Sequence, residues 1–170
     1  LIVKLDSPGP IIHRRTVVGK SGKIITIYKF RSMVVNADHI LETDKNLGNI
    51  IMINHKAKDD PRISRAGKFL RKTSLDEIPQ LINVLIGNMS LVGPRPIHPT
   101  EVRDYGHAIE LYTAATPGLT CLWQISGRSN LAFDDRVKLD TKYIQQRSIL
   151  MDLSILFKTV PAVIKGRGAC

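Results

Sequence analysis

Two adjacent carboxylates, Asp76 and Glu77, stand between a basic segment and an apolar one, and this junction constrains the chain more than any other feature. Arg65, Lys68, Arg71 and Lys72 precede it, with Phe69 and Leu70 among them. Ser74 and Glu77 have the spacing of a capping box, and Ile78, Leu81, Ile82 and Leu85 continue at helical spacing. Pro79 falls in the first turns, where a missing N–H costs least. The expectation is a helix that opens at Ser74 and holds both acids ionised at its positive end. With Arg71 and Lys72 just upstream, two acids and several bases surround one spot that attracts anions and can hold a metal. Acids in a first helical turn also serve stability alone, so Glu77 as a plain cap is the competing reading.

At 170 residues the chain is long enough for one domain with a real core. A net charge of +10 favours phosphates, nucleic acids or anionic lipid head groups as partners. Aromatics make up only 5% and do not interleave with the bases, which argues against a single-strand stacking platform. Two cysteines, Cys121 and Cys170, give neither a disulfide framework nor metal spacing, and the five histidines show no paired ligand spacing either. No apolar run is long enough to span a bilayer. The chain starts at Leu1, and its first five residues read as the tail of something longer.

Read in order, Asp6-Ser7-Pro8-Gly9-Pro10 is a rigid turn, and residues 11–18 and 24–30 are the two strands of a hairpin. Gly19-Lys20-Ser21 matches the end of a P-loop, but Arg14 stands where the earlier glycine is required, so a P-loop is rejected. Lys29 and Arg31 close the hairpin, either as solvated edge cations or as cations facing a phosphate. Residues 34–47 suit a helix ended by Gly48-Asn49, 50–53 are a short apolar run, 56–61 a charged loop and 62–72 a short helix. Pro94-Arg95-Pro96 pins one guanidinium on an extended segment, as a surface connector or as a preset diphosphate ligand. Residues 100–112 suit a helix, 117–128 a loop, short strand and turn, and 133–146 a long amphipathic helix with Arg136, Asp140 and Tyr143. The charged residues of that helix are readable as a solvated face. Residues 150–163 are apolar but interrupted by Asp152, Lys158 and Pro161, so they either pack as core or lie in a membrane interface.

Several of these stretches together resemble one family, the bacterial polyprenyl-phosphate sugar-1-phosphate transferases. They are Asp6-Ser7-Pro8-Gly9-Pro10, Tyr28-Lys29-Phe30-Arg31-Ser32-Met33, Asp60-Pro61-Arg62-Ile63, and Leu70-Arg71-Lys72-Thr73-Ser74-Leu75-Asp76-Glu77-Ile78-Pro79-Gln80. Met89-Ser90-Leu91-Val92-Gly93-Pro94-Arg95-Pro96, Pro117-Gly118-Leu119-Thr120, Leu122-Trp123-Gln124, Ser126-Gly127-Arg128 and the Arg136/Asp140/Tyr143 helix follow in order. The resemblance implies transfer of a sugar-1-phosphate, a hexose-1-phosphate as first guess, from a UDP-sugar to undecaprenyl phosphate. It further implies release of UMP at the cytoplasmic face of the bacterial inner membrane, as the start of polysaccharide assembly. It also implies a membrane-entering helix before the Ser7-Pro8-Gly9-Pro10 turn, so the chain reads as a C-terminal catalytic portion.

Diphosphate cleavage needs neutralised oxygens and an in-line nucleophile, and Lys29, Arg31, Arg71 and Arg95 are cations suited to the first task. The resemblance assigns the nucleophile to Asp76, gives Glu77 Mg²⁺ binding or proton handling, and adds Arg136 and Asp140 to the nucleotide-sugar set. Mg²⁺ suits so sparse an acid set, since it takes one or two carboxylates plus phosphate oxygens and water. The expected fold is α/β, a helix-dominated single domain over 1–170 with one β-hairpin and a membrane surface as partner. A basic module that binds anionic lipid or nucleic acid without chemistry is the alternative, although no nucleic-acid motif is present.

Overall fold

The computed structural model describes residues 2–54, 57, 59–128 and 131–166, the side chains at 53 and 54 excepted. His55, Cys170 and part of the loop expected over 56–61 lie outside the described residues. Among the described residues helices dominate, around two small sheets.

β1 (Ile12–Val18) and β2 (Ile24–Phe30) form the expected antiparallel hairpin, with Ile12 opposite Phe30 and Val18 opposite Ile24. Ser21 and Gly22 take positive φ, as a tight connection requires. Directly paired residues share a face, so His13, Arg15, Val17, Ile25, Ile27 and Lys29 all stand on one side. That face is apolar near the turn, where Val17, Ile27 and Met89 are buried together, and cationic towards the open end. β3 (Ser90–Val92) runs parallel to β4 (Gly118–Thr120), and the crossover between them carries Arg95. Gly118 packs so closely on Gly93 that a Cβ there would lie 2.1 Å from the Gly93 nitrogen.

α1 (Ile2–Asp6) packs on α4 (Arg65–Thr73), where Asp6 Oδ2 accepts from the Ala66 N–H and Ser64 caps the helix by accepting from Gly67. A Cβ on Gly67 would lie 1.9 Å from the Ser32 carbonyl oxygen, so only glycine lets α4 cross the end of β2 this closely. The single helix expected over 34–47 is instead two, α2 (Ala37–Thr43) and α3 (Lys45–Asn54). Asp44 breaks it by turning extended and offering Oδ1 to the Leu47 N–H, so Gly48 lies inside a helix. The stretch 100–112 likewise divides at Gly106, into a 3-10 helix (Pro99–Tyr105) and, after α5 (Leu81–Leu85), α6 (Ala108–Thr113). Its capping box is real but unforeseen, with His98 and Glu101 as the pair. The turn expected after β4 is a helix, α7 (Leu122–Ser126).

α8 (Phe133–Gln146) has the predicted bounds, but its charged residues are not all solvated, since Asp140 and Tyr143 are buried. α9 (Ile149–Lys165) contains Pro161 and buries only Ile155 fully. Val92, Ala115, Tyr143, Ile144 and Ile155 form one core cluster; Val18, Ile97, Tyr105 and Tyr112 form a second. No helix among the described residues is long and apolar enough to cross a membrane.

Candidate active site

The acid pair does not open an α-helix. Ser74 takes the left-handed conformation and closes α4, its N–H bonding the Leu70 and Arg71 carbonyls. A 3-10 helix (Leu75–Gln80) follows before α5 begins, and Ser74 caps neither with its side chain. The Ser74 hydroxyl instead accepts from Arg128 Nη2 at 2.7 Å, and Glu77 points away to the hairpin. The expected capping box is therefore absent, and the reading of Glu77 as a plain cap falls with it.

This segment is turned inside out. Asp76, Pro79, Gln80 and Asn83 are buried, while Leu75, Ile78, Leu81, Ile82, Leu85 and Ile86 are exposed, Leu85 at 86%. Asn83 explains the orientation. Its Oδ1 accepts from the Tyr28 N–H at 3.1 Å and its Nδ2 donates to the Thr26 carbonyl at 2.7 Å, so it is stitched to the edge of β2. A buried amide with both ends satisfied fixes that face inward and forces the apolar one out.

The 3-10 helix lies against β2 and brings Glu77 to Lys29, whose ammonium donates to Oε1 at 2.7 Å. Arg95 reaches the same oxygen at 3.6 Å. Burial works against the Glu77 charge, but these two cations hold its pKa at about 2. Asp76, only 7% exposed, differs. Burial pushes its pKa up and the Glu77 charge adds to this, against Lys29, Arg71 and Arg95. Its carboxylate makes no hydrogen bond or ion pair among the described residues. Arg71 approaches from α4, with its Nε donating to the Ser32 hydroxyl at 2.8 Å.

Arg95 is held from several sides. Its carbonyl accepts from the Tyr112 hydroxyl at 2.8 Å, and the same hydroxyl accepts from the Ile97 N–H at 3.2 Å. Its guanidinium lies 5.4 Å from the Trp123 ring centre, and Arg136 lies 5.2 Å from the same ring while bonding the Leu131 carbonyl. Asp140 sits beneath this assembly at 1% exposure. Tyr105 donates to its Oδ2 at 3.0 Å, and the Arg95 backbone N–H and the Trp123 ring N–H face the same carboxylate without a well-formed bond to Oδ1 among the described residues. Burial pushes its pKa up to about 7, against the pull of Tyr105, Arg95 and Trp123.

Of the expected site residues, Asp76, Glu77, Lys29, Arg71 and Arg95 converge. Arg136 and Asp140 stand by Arg95 and Trp123, and like Asp76 and Arg71 they line neither of the site's two cavities. Arg31 stands elsewhere. It donates to the Pro10 carbonyl at 2.7 Å, to the Ser7 hydroxyl and carbonyl at 2.6 and 2.9 Å, and to Met33, so its buried guanidinium clamps the Ser7–Pro10 turn. A phosphate role for Arg31 is therefore corrected to a structural one. Asp60 and Arg62 form a similar internal pair at 2.7 Å. Sequence reasoning left Arg15, Gln80, Asn83, Trp123 and Arg128 without a role. The parity of Arg15 and Lys29 on the hairpin was the signal for the first; nothing local announced the others.

Two cavities meet at Glu77 and Leu119. One is a polar cradle of about 10 Å³, walled by Arg15, Lys29, Glu77, Gln80 and Arg95. The other is an apolar groove of about 330 Å³ between the 3-10 helix with α5 and α9, walled by Ile78, Leu81, Leu119, Ile125, Leu156 and Val163 and bordered by Arg128.

A carboxylate pair among pinned cations, beside an apolar groove, is a setting chemically suited to handling a phosphoryl group. Comparison with known proteins agrees: residues 1–166 match the family model for bacterial sugar transferases. The chain belongs to that family. It is 46% identical over 95% of its length to an undecaprenyl-phosphate galactose phosphotransferase of Salmonella typhimurium, covering 35% of that protein. It is 42% identical over 99% to the exopolysaccharide production protein ExoY of Sinorhizobium fredii, covering 76% of it. A UDP-glucose:undecaprenyl-phosphate glucose-1-phosphate transferase of Escherichia coli is 42% identical over 94% of the chain, which covers 34% of it.

Proposed function

We infer that this chain is the catalytic part of an enzyme that moves a sugar-1-phosphate from a UDP-sugar to undecaprenyl phosphate, releasing UMP. The observation that carries this reading is the Asp76 carboxylate. It is buried, makes no hydrogen bond or ion pair among the described residues, and is set among Lys29, Arg71 and Arg95. A carboxylate largely withdrawn from water and held by no such bond is a nucleophile whose attack costs little further desolvation.

In the first half-reaction an Asp76 oxygen attacks the sugar-bearing phosphorus. The bond from that phosphorus to the bridging oxygen breaks, and UMP leaves with the electron pair. In the second, an acceptor phosphate oxygen attacks the same phosphorus, and the Asp76 carboxylate departs. The lipid then carries the sugar on a diphosphate. Lys29, Arg71 and Arg95 neutralise the equatorial oxygens, and Glu77 holds Lys29 and Arg95 in place.

Mg²⁺ fits this donor set. The described residues contain no group of three or more His, Cys, Asp or Glu suited to a metal, but Mg²⁺ asks for only one or two carboxylates beside phosphate oxygens. Asp76 and the Glu77 oxygen not taken by Lys29 would hold it. Bound there, it would neutralise phosphate oxygens.

The acceptor tail takes the apolar groove, which opens beside Glu77. The exposed apolar residues of α5 and α9 flank that groove and suit the head-group boundary of an anionic membrane. The reading places the enzyme on the cytoplasmic face of the bacterial inner membrane, at the first step of exopolysaccharide, capsule or O-antigen assembly. Galactose and glucose, named in the relatives, are the sugars to try first. The test is incubation with radiolabelled UDP-sugars, with and without undecaprenyl phosphate. Label on the protein at Asp76 without acceptor, and on lipid with it, is expected. UMP release from none of the UDP-sugars would overturn the reading.

A further inference from the structure

The cationic face of the hairpin extends one rung past Lys29. Arg15 stands opposite Ile27, on the same side as Lys29 and nearer the turn. Its guanidinium lies 3.8 Å from Glu101, with the side chain 39% exposed. Arg15 pairs with Glu101 and Arg95 with Glu77, and both guanidiniums wall the same cradle. Gln80 reaches the same cradle from the 3-10 helix. It is 2% exposed, and its Nε2 is buried with no hydrogen-bond partner among the described residues. A buried amide donor left unbonded destabilises the fold, and because Gln80 walls the cradle a small rotation of its amide would offer that donor to a ligand acceptor. The cradle has room for about one oxygen-sized group.

Asp76 does not wall this cradle, whereas Lys29, Glu77 and Arg95 do. In an in-line displacement the leaving oxygen departs on the side opposite the nucleophile. Lys29 and Arg95 then span both phosphates, with the Arg15–Gln80 end beyond them. We propose that Arg15 and Gln80 form a subsite for one oxygen of the leaving nucleoside monophosphate, gripping the phosphate that departs and not the one that is transferred. This rests on the reading of Asp76 as nucleophile. The two residues bind and orient the donor, and they hold UMP after cleavage.

The test is calorimetric titration of the chain with UMP, beside its melting temperature. Arg15→Gln should weaken UMP roughly tenfold to a hundredfold, and Gln80→Met roughly tenfold. Gln80→Met should melt at the same or a higher temperature, because it deletes an unbonded donor; a purely structural glutamine would instead lower it. Arg14→Gln, on the exposed opposite face of β1, removes the same charge and should leave UMP affinity unchanged. In transfer assays both site variants should raise KM for the UDP-sugar more than they lower kcat. Unchanged UMP affinity in Arg15→Gln, or equal weakening in Arg14→Gln, overturns the subsite, and this holds even where Gln80→Met fails to fold. UMP binding needs no nucleophile, so the fate of Asp76 is settled separately, by transfer activity in Asp76→Asn.

Discussion

The polar cradle and the apolar groove share Glu77 and Leu119 and little else. On the cradle side, burial is spent on charge. Lys29, Glu77 and Arg95 are brought in together because each offsets the desolvation of the others. On the groove side, apolar side chains are left in water, with Phe157 at 77% exposure and Leu85 at 86%. Each side breaks the usual rule of burial in the opposite direction, and the 3-10 helix between them does both at once. Charged groups inside and apolar groups outside suit a catalyst whose donor comes from water and whose acceptor comes from lipid. The predictions below separate the two sides.

The largest effect belongs to Asp76. Asp76→Asn keeps the shape and removes the charge, and transfer should fall roughly a thousandfold or more, as when other enzymes lose a nucleophile. Its melting temperature should hold or rise, since burial already disfavours the charged form. Activity requires the ionised form. Because the Asp76 pKa is raised, the rate should be full above that value and fall as pH drops through it. Glu77, at about 2, remains ionised throughout and cannot supply that limb. An undiminished rate in a folded Asp76→Asn protein would remove the chemistry from the cradle.

Glu77→Gln comes next and strikes both catalysis and fold. It leaves Lys29 buried without its counter-charge, a loss of about 3 kcal/mol on the scale of broken buried pairs. Denaturant melts should show it, together with a strong drop in transfer and a changed Mg²⁺ dependence. Arg95→Lys keeps the charge but gives up the planar fork and the stacking on Trp123. A loss of roughly tenfold to a hundredfold in kcat/KM is expected from one charged hydrogen bond. A wild-type rate in Arg95→Lys would reduce the Pro94-Arg95-Pro96 segment to a connector.

Much of this architecture was legible in the sequence, and the failures have common causes. The hairpin and α8 were found because β-branched runs joined by a tight turn and an amphipathic period are local signals. The segment after Ser74 was misread because its apolar residues follow helical spacing, which normally means a buried face. A single buried amide, Asn83, bonded to β2 more than fifty residues away, reverses the face that is buried. Arg31 was misassigned for the same kind of reason: four acceptors from Ser7, Pro10 and Met33 claim its guanidinium, and no spacing rule reveals that. Asp76, Glu77, Lys29, Arg71 and Arg95 were named from sequence and do converge. Arg15, Gln80 and Arg128 were missed because their neighbours are distant in the chain.

The smallest effects belong to the groove side, and they test whether its exposed face meets lipid. Residues 150–163 were readable as core or as interface. Leu153 at 45% and Phe157 at 77% exposure exclude both from the core, whereas Ile155 is buried. The chain should bind anionic vesicles weakly through its excess positive charge and bind neutral vesicles poorly. Raising the salt to about 1 M should release it, because the screening length falls to about 3 Å. Leu153→Ser and Phe157→Ser should each weaken vesicle binding several-fold, about 1 kcal/mol for partial burial of an apolar side chain. Neither should shift stability by more than about 0.5 kcal/mol, the ordinary range for surface substitutions. Ile155→Ser, one helical position of the same chemistry turned inward, should do the reverse: a clear fall in melting temperature, with vesicle binding retained while the protein stays folded. Vesicle binding that ignores Leu153→Ser and Phe157→Ser would leave charge as the sole attraction and detach the apolar face from the membrane.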